Sequence, residues 1–210
     1  MIHHRPFQVI GFHSCDKKLG LKIINGEEEL KPSKNPWDWL GEGIYFWEQN
    51  PNRALQYAIE AANAQQFFAG KIEIPFVVGA TIELGNCLNL VDSDAAEVLE
   101  ESYKGLKKIY AEAGKQMPTN KNANRQLDCA VFKHLHKSSE GNLALKYDTI
   151  RCAFVEGDPI YPGSNISTRL HIEICVLNSS VIKNYFLPRP LDTYNPYLNS
   201  TFIPENKLNE

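Results

Sequence analysis

A carboxylate stands in the middle of the clearest strand in this chain. Thr168-Arg169-Leu170-His171-Ile172-Glu173-Ile174-Cys175-Val176 alternates with period two. Leu170, Ile172, Ile174 and Val176 face one way, and Arg169, His171, Glu173 and Cys175 the other. A carboxylate among β-branched residues is expensive unless it is solvated or paired. The segment therefore reads either as a functional strand or as an open sheet face in water.

The remaining elements fix the class. Val9 to His13 reads as a short strand and Lys17 to Ile24 as a short helix broken at Gly26. Arg53 to Phe68 carries Leu55, Ala58, Ile59 and Ala62 at helical spacing. Ile72 to Leu84 is β-branched but interrupted by Pro75 and Gly79, which suggests strands with a bulge or bend. A helix from about Asp94 to Ala113 bears the stripe Leu99, Tyr103, Leu106, Tyr110 and Ala113, with acids early and lysines late, as the helix dipole prefers. Arg125 to Lys137 reads as a further helix. Thr149 to Val155, Arg169 to Leu177 and Val181 to Leu187 close the chain as strands. Strands scattered among helices without regular βαβ alternation predict an α+β fold. Residues 1–188 form one domain with a helical insertion over about 92–140, and the Pro- and Asn-rich tail, 189–210, is expected to lie over the surface.

With 43% hydrophobic and 22% charged residues, the 210-residue chain can pack a core, and disorder is not expected. A net charge of −3 supplies no bulk attraction to nucleic acid or anionic lipid, so such contacts would need a local patch. Cys15, Cys87, Cys129, Cys152 and Cys175 are odd in number and lack C-x-x-C spacing, which fits reduced thiols rather than a disulfide framework. The start of the chain lacks a secretory apolar run, and no stretch approaches the roughly 20 apolar residues of a membrane span. A soluble cytoplasmic protein is expected.

Three pieces carry chemistry. Gly11-Phe12-His13-Ser14-Cys15 ends a strand on a histidine, which also reads as a hydrogen-bonded structural residue. Leu40-Gly41-Glu42-Gly43-Ile44-Tyr45-Phe46-Trp47-Glu48 joins two glycines to an aromatic cluster, and Tyr57 follows one helical segment later. The glycines allow close backbone approach or positive φ; a glycine turn feeding a core strand has the same appearance. The loop 27–43 holds Trp37 and Trp39, and loops of that length are often functional. The third piece is the Glu173 strand.

Together these pieces resemble the ADP-ribosyltransferase superfamily, in the His–Tyr–Glu branch that includes diphtheria-type toxins and poly(ADP-ribose) polymerases. Gly41-x-Gly43-Ile44-Tyr45-Phe46 matches that branch's second motif, and Glu173 with the residues through Leu187 resembles the polymerases' final strand and the segment after it. The likeness spans about Val9 to Pro188, with specificity confined to the three stretches. It extends to small bacterial proteins of this fold, some of them toxins of toxin–antitoxin and phage-defence loci.

The resemblance implies a split β-sheet core with flanking helices and NAD as substrate. It implies that His13 hydrogen-bonds the nicotinamide ribose, that the backbone of Ser14 holds the carboxamide, and that Gly43 lines the cofactor site. Tyr45 would stack on the nicotinamide with Tyr57 on its other face, and Glu173 would bind ribose hydroxyls beside the anomeric carbon. Two departures stand out: Arg53 and Ala54 occupy the neighbourhood of the serine expected before the second tyrosine, and Tyr57 lies one residue late. Breaking the glycosidic bond of NAD passes through an oxocarbenium-like centre, which a fixed carboxylate stabilises best away from water. No metal is called for. Cys129 with His134 and His136 lacks ligand spacing, and His134 falls on the apolar side of its helix with Leu127 and Val131.

For the acceptor, the resemblance directs attention to the loop 156–165, with Tyr161, and to His171, two residues before Glu173. Arginine-modifying families carry Glu or Gln at that place, so His171 points away from arginine. A histidine there could orient or deprotonate a nucleophile, or be simply an exposed strand residue. Tyr161 could stack on a base or pack on its own domain. Lys104, Lys107, Lys108, Lys115, Lys121, Arg125, Lys133 and Lys137 form either an RNA-facing surface or a solvated helix face. The expected function is a mono-ADP-ribosyltransferase, RNA favoured over protein as acceptor, acting as a toxin held by a partner antitoxin. An NAD glycohydrolase and a non-enzymatic NAD- or partner-binding module remain alternatives.

Overall fold

A computed structural model of the chain describes residues 8–36, 38–64, 72–121, 124–138 and 146–204. The strands are β1 (Gln8–Asp16), β2 (Ile44–Glu48), β3 (Pro75–Glu83), β4 (Cys87–Asn89), β5 (Thr149–Pro159), β6 (Ser167–Val176) and β7 (Ile182–Phe186). The helices are α1 (Lys17–Ile24), α2 (Pro51–Asn63), α3 (Ala95–Glu112), α4 (Gln126–Ser138) and α5 (Leu191–Tyr194). The strands form one seven-stranded sheet in the order β4-β5-β6-β2-β1-β3-β7. All pairs are antiparallel except β4 with β5. The α+β class expected from the scattered strands is the class observed.

Alternation divides the sheet into two faces. Ile44, Phe46, Phe76, Val78, Ala80, Ile82, Ile174 and Val176 bury one face beneath α1, which contributes Ile23. Gly20 of α1 is small because a Cβ there would lie 2.2 Å from the Phe76 ring. On the other face α2 covers the β1–β3 half, with Ala54 against Phe12, Trp47 and Val77. The β5–β6 half of that face packs Ile150, Phe154 and Cys175 against Phe132 and Leu135 of α4. The join between the halves is thin: β1 and β2 share the register pairs Gly11↔Glu48 and Phe12↔Trp47.

Local signals explain the helix starts. Asp16 caps α1 by accepting from Lys18 N, and its other carboxylate oxygen accepts from Glu73 N and Ile74 N. Asn50 caps α2 by accepting from Arg53 N, and Pro51 occupies the first turn, where its missing N–H costs nothing. The α2 helix ends at Asn63; the stretch to Phe68 expected to continue it falls largely in 65–71, outside the described residues, as does Trp37.

Three expectations need correction. Ile72 to Leu84 contains one continuous strand, because Pro75 starts it and Gly79 makes room for Phe186, whose ring would lie 2.4 Å from a Cβ; the expected irregularity falls instead between Thr81 and Ile82, where the register with β7 shifts. The tail does not simply cover the surface: Asn195 is 2% exposed. Its side-chain amide accepts from Val77 N and donates to Val77 O, extending the ladder of β3 past the end of β7. Finally, β6 reverses its burial toward its start. His171 is buried, whereas Leu170 is 52% exposed beside Val155 on β5 at 68%. There the β5–β6 hairpin lays His171 against Phe154 on the covered side. Among the described residues, no helix is long and apolar enough to cross a membrane.

Candidate active site

Glu173 sits mid-sheet, in register with Trp47 on β2 and Cys152 on β5. Directly opposed residues of antiparallel strands point the same way, so Trp47, Cys152 and Glu173 share the α2 face. Tyr57 meets them from α2, its ring 5.1 Å from that of Trp47. Burial raises the Tyr57 hydroxyl above its ordinary range, and the charge of Glu173 adds to the shift. The Cys152 thiol is pushed up to about 11 by burial, with Glu173 again contributing.

The carboxylate is paired, as the strand pattern required. His171 Nε2 lies 3.1 Å from Glu173 Oε1, and His171 Nδ1 lies 2.8 Å from the carbonyl of Arg169. Both partners are acceptors, so the geometry suits a ring that donates from both nitrogens, the imidazolium form. Burial pulls the His171 pKa down, but the bonds to Glu173 and to the Arg169 carbonyl outweigh it, and the net shift is upward. Phe154 lies against the ring at 5.9 Å. His171 is therefore neither the exposed histidine nor the free base among its expected roles; both of its ring N–H groups are committed, one to Glu173 and one to the backbone.

His13 is in the opposite state. Its Nδ1 lies 2.8 Å from the Tyr45 carbonyl, so Nδ1 carries the proton. Burial lowers its pKa and outweighs that bond, leaving a neutral ring with an acceptor lone pair on Nε2. Alternation along β1 places His13 with Gly11 and Cys15, beside Phe46 at 5.6 Å, rather than with Phe12 and Ser14. The ring occupies the seam where pairing with β2 stops.

Tyr45 lies on the Glu173 face, in register with Cys175. Its hydroxyl accepts from Leu40 N at 3.0 Å and donates to Gly41 O at 2.6 Å, which fastens the turn where Gly41 takes φ +82°. Burial raises the Tyr45 pKa, so the hydroxyl remains a donor. Gly43 lets β2 approach β6, since a Cβ there would lie 2.3 Å from Cys175 Sγ. Ser14 Oγ donates to Ala54 O and ties β1 to α2. Among the described residues no hydrogen bond joins the side chains of His13, Tyr45 and Glu173 to one another. Glu173, His171, Trp47 and Tyr57 form the tight group; His13 lies outside it, on the Phe46 and Cys15 side of the seam, bonded to the Tyr45 carbonyl.

Tyr161 is 60% exposed, in a turn closed by hydrogen bonds from Ile160 N to Ile166 O and from Ser164 N to Tyr161 O. It does not pack into its own domain as the alternative had it. In the basic segment, Lys104 faces Glu100, Lys108 faces Glu112, Arg125 faces Asp128 and Lys133 faces Glu42. These pairs favour the solvated-face reading. His134 packs on Gly105, where a Cβ would meet its ring at 2.7 Å, consistent with a structural histidine between α3 and α4. Among the described residues no group of His, Cys, Asp and Glu is arranged to hold a metal ion.

Trp47, Arg53 and Cys152 had no assigned role in the sequence reading. A legible signal was the spacing of Arg53 and Tyr57 four residues apart on one helix, which puts both on one face. A cavity of about 530 Å³ adjoins the group, bounded by Trp39, Tyr103, Phe132, Cys152 and Phe154. Arg125 lies over the Trp39 ring at 5.1 Å.

Comparison with known proteins finds no matching family model and no matching solved structure. Among curated proteins the chain is similar to the uncharacterized protein MJ0359 of Methanocaldococcus jannaschii, 28% identical over 213 residues, covering 89% of this chain and 91% of that protein.

Proposed function

We propose that this chain is an NAD-dependent mono-ADP-ribosyltransferase with Glu173 as its electrostatic centre. The observation that carries the reading is the Glu173 carboxylate, oriented by buried His171 and facing the Trp47–Tyr57 aromatic pair. Such a carboxylate suits an oxocarbenium-like ribose, and flat rings beside it suit a nicotinamide leaving group. Neutral His13, with a lone pair on Nε2, suits acceptance of a hydrogen bond from a ribose hydroxyl. The resembled family's sheet is split, whereas here the seven strands are continuous and β1 and β2 pair at only two register positions.

In the proposed reaction the bond between nicotinamide nitrogen and the ribose anomeric carbon breaks, and the electron pair leaves with nicotinamide. The acceptor then bonds to that carbon and loses a proton. Glu173 stabilises the positive charge between the two events. The acceptor is a macromolecule, RNA ahead of protein, arriving by way of Tyr161 and its hairpin, and a toxin of this kind would be held by an antitoxin. The alternative with water as acceptor gains from one observation: both nitrogens of His171 are engaged, so it offers no base to a macromolecular nucleophile.

The test is incubation with labelled NAD and, separately, cell RNA, DNA and protein, comparing wild type with Glu173→Gln. Label on one class, reduced roughly 100-fold or more in the variant, is the expected result. Free ADP-ribose alone assigns the hydrolase, and no nicotinamide release from folded protein refutes both enzymes.

A further inference from the structure

Arg53 is a buried cation with unused donors. Its side chain is 9% exposed, yet Nε and Nη1 have no hydrogen-bond partner. The Trp47 indole N–H beside it is also buried and unpartnered, and the guanidinium carbon lies 5.7 Å from the Trp47 ring centroid. Arg53 Nη2 reaches Glu156 at 2.9 Å, and Nη1 lies 3.7 Å from Glu60. Glu60 also meets Arg169 at 2.9 Å. Two arginines and two glutamates thus bridge α2 to the β5–β6 hairpin beside the Glu173 group.

The four groups differ in freedom. Glu156 is 29% exposed and Glu60 39%, so each can turn into water at small cost. Arg53 cannot withdraw, and a buried guanidinium left without a partner is costly. An arginine fork with open donors matches phosphate oxygens. The esterified diphosphate of a dinucleotide carries two negative charges at neutral pH and could replace the two carboxylates charge for charge.

We propose that Arg53, with Arg169, is the seat for the diphosphate of a dinucleotide, and that Glu156 and Glu60 hold its place when the site is empty. The assignment of the dinucleotide as NAD rests on the proposed function; the anion seat rests on the geometry alone. The position suits that ligand. Trp47 touches Arg53 on one side and is the cross-strand neighbour of Glu173 on the other, and in a dinucleotide the anomeric carbon is a few bonds from the diphosphate.

The experiment is calorimetric titration of inorganic diphosphate and of ADP-ribose into the full chain, as wild type, Arg53→Gln and Glu156→Gln. Arg53→Gln is expected to weaken both ligands by roughly 10-fold or more, the scale of a lost charge-assisted contact. Glu156→Gln is expected to tighten both by several-fold, because it removes the competing carboxylate without removing the arginine. A purely structural ion pair predicts the reverse: Glu156→Gln leaves binding unchanged or weaker, and that result overturns the proposal even if Arg53→Gln fails to fold. Arg53→Gln that melts like wild type and binds diphosphate equally also overturns it. Parallel NAD turnover separates the two readings. Arg53-dependent diphosphate binding without NAD consumption keeps the seat and removes the enzyme, whereas NAD consumption with KM unchanged in both variants removes the seat and keeps the enzyme.

Discussion

Replacing His171 by phenylalanine tests whether an imidazolium orients the carboxylate. The new ring keeps the stack on Phe154 but removes two N–H donors, one to Glu173 and one to the Arg169 carbonyl. A hydrogen bond to a charged group contributes about 1.5–3 kcal/mol and a neutral one about 1 kcal/mol. The Glu173 side chain is 18% exposed, so water takes up part of the loss. We expect about 2–3 kcal/mol of destabilisation, or roughly 4–12 °C in Tm for a chain of this length. The pH dependence is the sharper readout. The folded-state pKa of His171 is raised, so its contribution is fully present below the ordinary value of 6.5 and is lost as pH rises through the folded value. Urea unfolding of wild type and His171→Phe between pH 6 and pH 9 should therefore show a stability gap that narrows with rising pH. A gap independent of pH would mean that the folded-state pKa is not raised, and the reasoning would fail.

The other predictions concern separate parts of the fold. Tyr45→Phe removes the hydroxyl that bridges Leu40 and Gly41, and should cost about 1–2 kcal/mol in urea titration; no loss would show that the loop is held without it. Asn195→Ala strips both hydrogen bonds from Val77 in a buried position, for about 2–3 kcal/mol, and should raise amide exchange at Val77. His13→Gln should flatten the acid side of the stability curve. The folded-state pKa of His13 is lowered, so its stabilising effect is present above 6.5 and is lost as pH falls through the folded value. An acid limb unchanged in the variant would contradict that assignment.

The legible parts of the sequence were those governed by short-range rules. α1 was readable from its spacing and its end at Gly26, and β6 from strict alternation around Glu173. What stayed hidden depended on distant partners. β4 is three residues long and exists because β5, some 60 residues later, pairs with it. Asn195 reads as a tail residue until Val77 is seen to lack a neighbour strand at that point. Arg53 stood out only as a departure from a pattern. Its meaning depends on Glu156 and on Trp47, which reach it from other elements. Alternation also fixed which residues of β6 share a face, but not which face is covered at each end; the outer end of the hairpin reversed that choice at Leu170 and His171.

In the proposed reaction the two histidines would serve in opposite protonation states. A site that stabilises a transient cation needs a carboxylate, and a carboxylate held in a sheet needs a donor that does not compete with substrate. His171 meets that need from the same strand, with its second nitrogen locked by the Arg169 carbonyl so that the ring cannot turn away. A ribose hydroxyl bound as proposed would need an acceptor, and His13 would offer one because its proton is committed to the Tyr45 carbonyl and burial resists a second. In both cases a backbone carbonyl selects the tautomer and the environment selects the charge. Exchanging the environments would leave a buried cation in the seam and a carboxylate without its donor. The sequence positions of the two rings, one at a strand junction and one two residues from Glu173, are therefore not interchangeable.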